Sequence, residues 1–397
     1  MLNIEEQESV KQFALFNLAF RPFFLGAGLL AVTSILVWMA VFVFDWQHGF
    51  SDVSPHIWHA HEMVYGYAMA VIAGFLLTAI KNWTGIQTLH GWGLGVLFFI
   101  WFVTRVLFMT GTVPIELIAA MDIGFMLLLI VFTALPLLKI RQWMNLVLVT
   151  KLVLMLASNV VFYLGVMGIV EDGVRLGLYS GLYLVVALIF TMGRRVIPFF
   201  IEKGVDEQVE LVNRRWLDLS SLVLFLSFWI AELIEPNGLV VALLAIALFV
   251  LHGMRLLGWH TRGIWKKPLL WVIYIAYGFL VAGLALKAAV YFLGISPFLA
   301  AHAFAYGGVG IMTIGMMARV ALGHTGRDVF SPPPVLWWMF AIIIVGAVIR
   351  VFFPLFDSSQ YTLWIGISQV LWTISFAMFL FIYTPVCMKP RIDGRYG

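Results

Sequence analysis

Residues 60–85 read AHEMVYGYAMAVIAGFLLTAIKNWTG. After the opening His–Glu pair the chain runs apolar as far as Lys81. A helical span needs about 20 such residues to cross a hydrocarbon core of roughly 30 Å. Eleven further runs of this kind can be read outward from it. The first half spans 23–44, 58–80, 90–109, 114–138, 144–168 and 174–200; the second spans 216–235, 238–260, 268–292, 297–322, 334–355 and 361–385. The runs are continuously apolar, whereas barrel strands would alternate in segments of about ten. The sequence therefore predicts an all-α, polytopic membrane bundle of twelve helices at residues 23–385. A short cytoplasmic segment (1–22) precedes it and a cytoplasmic tail (386–397) follows.

Composition agrees. Hydrophobic residues make up 63% of the 397 and charged residues only 11%, against about 25% charged in a soluble domain. Such a chain cannot cover itself with polar surface, which excludes a soluble enzyme, a disordered protein and a nucleic-acid binder. With the N-terminus inside, nineteen of the 24 Lys and Arg fall on inner segments and helix ends. The outer loops hold only Arg175, and Arg105, Lys151, Lys287 and Arg350 lie within spans. Cations are retained on the cytoplasmic side, so the expected topology is N-in, C-in. A lone cysteine, Cys387, excludes a disulfide framework and a CxxC metal site.

The same stretch recurs. Residues 301–326 (AHAFAYGGVGIMTIGMMARVALGHTG) align to 60–85 without gaps, sharing His61/His302, Tyr65/Tyr306, Gly66/Gly307, Gly74/Gly315 and the closing Thr–Gly. The span after each carries an arginine in its outer part, Arg105 and Arg350. Both copies are even-numbered spans, so the repeat is parallel, unlike the inverted repeats of many transporters. Convergence of helix-packing glycines would give similar matches, and that reading stays open.

His61 and His302 stand at similar depth below the outer helix ends, where two imidazoles can meet one flat cofactor. Neutral imidazole is a common ligand of haem iron and copper. Tyr65 and Tyr306 lie one turn below the two histidines, as cofactor-facing or as packing residues. Arg105 and Arg350, if buried, need anions; haem propionates would serve, as would Glu62, Asp122 or Glu232. His56, His59 and Met63 bring imidazole and thioether together, a set suited to copper, or form an interfacial cluster. The spacing places His56 and His59 ahead of regular helix. His90, His252, His260 and His324 read as boundary residues.

These residues carry a resemblance. Segments 21–25 (RPFFL), 59–66 (HAHEMVYG), 73–85 (AGFLLTAIKNWTG), 195–200 (RVIPFF) and 317–327 (MARVALGHTGR) are similar to signatures of the NnrS family. The resemblance implies a bacterial inner-membrane protein of twelve spans that contains haem and copper and is associated with denitrification and tolerance of nitric oxide. The arrangement also resembles, more loosely, subunit I of haem–copper oxidases, with haem-ligating histidines on helices two and ten. Those enzymes hold copper on histidines of helices six and seven, and neither helix has one here.

The functional expectation is a haem- and copper-binding membrane protein of the nitric oxide response, with haem in the outer leaflet on His61, His302 or both. Its expected partners are nitric oxide or a related small molecule, membrane lipid and an electron donor, with no nucleic acid. Two axial histidines would suit electron transfer, and one would leave a site for nitric oxide. The competing expectation is a secondary transporter whose polar outer cavity uses the same residues and holds no haem.

Overall fold

The computed structural model describes residues 13–51 and 53–397. Part of the expected N-terminal segment, residues 1–12, lies outside them. Among the described residues, twelve helices are long and apolar enough to cross a membrane. They are α1 (Phe20–Phe44), α2 (Pro55–Thr84), α3 (Gly91–Thr110), α4 (Ile115–Lys139), α5 (Trp143–Val166) and α6 (Gly173–Gly204), then α7 (Arg215–Ile234), α8 (Leu239–Gly258), α9 (Pro268–Leu293), α10 (Pro297–His324), α11 (Val335–Phe356) and α12 (Tyr361–Met388).

Every sequence-derived span is found, with ends displaced by at most four residues. Two displacements have physical causes. Helix α2 starts at Pro55, a proline in the first turn with Ser54 ahead of it in extended conformation. Proline's fixed φ suits that position, so His56 and His59 belong to the helix rather than preceding it. Helix α6 runs on through Glu202 and Lys203 to Gly204, which shortens the polar connection expected from residue 201.

The chain ends close on each other. The Ala14 amide donates to the Met388 carbonyl at 2.9 Å. Arg21, from the RPFFL segment, is fully buried and donates to the carbonyls of Cys387 (2.6 Å), Lys389 (2.8 Å) and Gly397 (2.6 Å). It thereby satisfies carbonyls that the last turn of α12 leaves without intrahelical donors. We call this the terminal end and the opposite one the distal end. The Thr–Gly that closes each repeat copy stops a helix here. Gly85 takes a left-handed φ of 70° and its amide caps Lys81, while Gly326, at φ 76°, has its amide on the Gly323 carbonyl. Left-handed backbone is the usual helix stop, and glycine adopts it without steric cost.

The two repeat helices are also the most enclosed. Within its most apolar stretch each of α2 and α10 is 78% buried, followed by α9 at 72% and α6 at 61%, while the other eight lie between 28 and 44%. Four helices thus form the interior and the rest face lipid on one side. Contact between helices rests on small residues and specific polar bonds, because lipid tails are as apolar as leucine. The Trp101 indole donates to the Gly66 carbonyl, Trp372 to Ala31, and the hydroxyls of Tyr67 and Thr313 join α2 to α10 at 2.5 Å.

Candidate functional site: two polar clusters on the repeat helices

The repeat extends to the backbone in a way that residue matching did not reveal. Immediately after His61, α2 widens into a π-helical segment, Glu62–Ala68. Immediately after His302, α10 does the same over Ala303–Gly310. Such segments are rare and are often found at functional sites. They start seven residues (about 10.5 Å) below the distal start of α2 and six (about 9 Å) below that of α10.

The repeated tyrosines are occupied by packing. Tyr65 donates its hydroxyl to the Gly177 carbonyl at 2.6 Å, and Tyr306 donates to Ser368 at 2.9 Å. Each hydroxyl passes over a glycine: a Cβ on Gly181 would stand 2.5 Å from the Tyr65 oxygen, and one on Gly346 2.1 Å from that of Tyr306. The Tyr65 ring lies 5.0 Å from the His61 ring, so it forms part of that histidine's wall.

Around His61 the distal half of α2 to α5 holds an ionic network, in which Glu62 Oε2 and Arg105 Nε are buried without a partner. His61, Glu62 and Asp122 are fully buried, and Arg105 nearly so. Arg105 donates to Glu62 at 2.8 Å and to Asp122 at 2.5 Å. Asn159 and Tyr163 donate to the second Asp122 oxygen at 2.9 and 3.0 Å. The Asn159 amide nitrogen is therefore turned to the carboxylate, and its oxygen faces His61 Nε2 at 3.0 Å. His61 Nδ1 faces Glu62 Oε1 at 3.3 Å. Both ring nitrogens look at oxygen acceptors, which an imidazole donating on both sides satisfies. In that form the four ionic groups sum to zero charge, as a site away from water requires. Each ring nitrogen of His61 thus already has an oxygen partner.

His302 differs. Its Nδ1 lies 2.7 Å from the Phe298 carbonyl, one turn back. A carbonyl only accepts, so Nδ1 carries the hydrogen and the Nε2 lone pair is available. It takes a hydrogen bond from Arg350 Nη2 at 3.0 Å. A backbone acceptor on one imidazole nitrogen is the arrangement that prepares the other for a metal. Arg350 is 6% exposed, is faced by the Tyr361 ring at 5.7 Å, and leaves Nη1 buried without a partner. Unlike Arg105 it has no carboxylate partner among the described residues, so the two repeat-related arginines are used differently. His59 lies within electrostatic reach of both Arg350 and His302. It stacks on Trp38 at 5.0 Å, and its buried Nδ1 has no partner.

The structure thus groups His302 with Arg350 and His59, and separates His61 into the neighbouring network. Met63 turns its sulfur to Ser34 of α1 at 3.7 Å, on the side of α2 that carries His59, whereas His56 is exposed. Among the described residues no three His, Cys, Asp or Glu side chains form a ready metal cage. Sequence reading missed Asn159 and Tyr163. Their signal was slight: one amide in an apolar run, and one aromatic among many. His252 was read as a boundary residue; it is fully buried against Phe190, with Nδ1 2.6 Å from the Tyr277 hydroxyl.

The sequence model of the NnrS protein family matches residues 14–391, nearly the whole chain. No curated protein matches. The chain belongs to the NnrS family, and its twelve apolar helices make it a multi-pass membrane protein.

Proposed function

We propose that this protein binds haem at the distal end of its bundle and serves the bacterial response to nitric oxide from the inner membrane, with the distal end outward. The observation that carries the proposal is the state of His302. Its Nδ1–H is committed to a backbone carbonyl, and its Nε2 lone pair meets only an arginine that a ligand can displace. The orphaned Nη1 of Arg350 adds a buried donor for a carboxylate such as a haem propionate. His302 and Arg350 are therefore the residues that would hold the group. Bound haem would supply an iron that takes nitric oxide or passes an electron.

His59 contributes a second imidazole nitrogen without a partner, held by its stack on Trp38. With Met63 one turn on, it is the better placed of the two histidines proposed for copper. His61 serves the site differently. Its nitrogens are spent on Glu62 and Asn159, so it fixes the first turn of the π segment in α2 instead of offering a ligand atom.

The test is an optical spectrum with metal analysis of the purified protein. A Soret band that disappears in His302→Ala, weakens in Arg350→Gln and persists in folded His61→Ala supports this assignment. A colourless, metal-free but folded wild-type protein refutes haem binding altogether.

A further inference from the structure

Arg319, far from the distal site, is a membrane-buried charge with no counter-ion among the described residues. It sits on α10 five residues before the terminal-end stop at His324, and it is 8% exposed. Its recorded partner is the face of Phe200, 3.9 Å from the guanidinium carbon. Arg105, Arg194 and Arg255 each reach a carboxylate; Arg319 reaches none among the described residues. An arginine inside a membrane protein normally pairs, so its bare guanidinium calls for an anion.

The surroundings point the same way. Arg319 lines a narrow cleft with Lys267, Pro268, Leu269, Val329 and Phe330. Pro268 opens the 26-residue α9, and the amide of Leu269 behind it has no backbone acceptor. The cleft therefore holds a helix N-terminus with a free N–H, where anions bind. Lys267 stands at its edge, held by exposed Asp206 at 2.8 Å. The charged side chains that line the cleft are the two cations Arg319 and Lys267; Asp206 on Lys267 and Asp328, which accepts from the Phe330 amide at 2.8 Å, lie outside the lining. Stacking on Phe200 occupies one face of the guanidinium and leaves its edge donors free for paired oxygens. Phe330, 52% exposed, lies at the lip, where an acyl chain would pass.

We propose that this cleft binds a phosphate group, through Arg319, the α9 N-terminus and Lys267. Its place at the basic end of the bundle favours the headgroup of an anionic phospholipid over a soluble phosphate.

The test is thermal protection of the full-length protein in detergent, titrated with phosphatidylglycerol, phosphatidylcholine or inorganic phosphate. Wild type should be protected by phosphatidylglycerol and not by phosphatidylcholine. Arg319→Gln should raise the concentration for half-maximal protection about ten- to a hundredfold, the value of a hydrogen bond to a charged group. Lys139→Gln, which removes an exposed cation at the same end, should leave it unchanged. Equal protection by inorganic phosphate would keep the site and make its ligand a soluble phosphate. Protection by none of the three, or an identical titration in Arg319→Gln, overturns the proposal. Should Arg319→Gln fail to fold, Arg319→Lys and Lys267→Gln carry the comparison: weakened protection in both supports the site, and unchanged protection in both removes it.

Discussion

Replacing Arg105 by glutamine should damage this protein far more than replacing Arg350, although the two arginines occupy equivalent places in the repeat. Arg105 donates to Glu62 and to Asp122, both fully buried. Its loss leaves two carboxylates in a low-dielectric interior with only His61 to balance them. Removing one partner of a buried ion pair costs about 3–5 kcal/mol, and an arginine that serves two carboxylates belongs at the upper end of that range. Arg350 bonds no carboxylate; its loss leaves His302 Nε2 without a donor. That is one hydrogen bond from a charged donor, worth about 1.5–3 kcal/mol. The expected gap is therefore about 2–3 kcal/mol. Equilibrium unfolding in mixed micelles, followed by tryptophan fluorescence, measures it. Adding Asp122→Asn to Arg105→Gln should recover at least about 1 kcal/mol, because groups in one network are not additive. If Arg105→Gln costs no more than Arg350→Gln, or if the double variant shows the sum of its parts, the charge accounting given for this network is wrong.

Two further outcomes follow from the packing and the charge map. Gly346→Ala places a methyl 2.1 Å from the Tyr306 hydroxyl oxygen and should cost about 1–3 kcal/mol by overpacking; Tyr306→Phe in the same chain should return most of it, and no recovery would show that the hydroxyl is not the obstacle. For orientation, Glu171→Cys in an exposed distal loop should react in intact cells with a membrane-impermeant maleimide, whereas Lys266→Cys at the terminal end should not. The native Cys387 is buried and gives little background, and labelling of Lys266→Cys alone would invert the topology.

The family signatures divide by purpose once they are placed in the fold. RPFFL and GHTGR act at the terminal end, where Arg21 caps α12 and the Thr325 carbonyl accepts from Ile392. Their work is to hold the last helix and the tail. The AHxxxYG pattern acts at the distal end, and even there the tyrosines do interhelical packing while the histidines enter the polar clusters. A repeat therefore does not mean two equal sites. In the first copy Glu62 follows the histidine and captures Arg105; in the second Ala303 takes that place, so Arg350 is left to the imidazole.

The sequence by itself determined the twelve helices, because the transfer of apolar side chains into lipid is local and each span is decided by its own residues. It also nominated His59, His61, His302, Arg105 and Arg350, because charged and polar residues are costly in that medium and stand out. Only the tertiary structure decided which of them meet. Asp122 and Asn159 close on His61 from other helices, Phe298 and Arg350 settle the free nitrogen of His302, and the two π segments change the facing of every side chain after the histidines. Partnerships of this kind depend on which helices become neighbours, and no single apolar run carries that information.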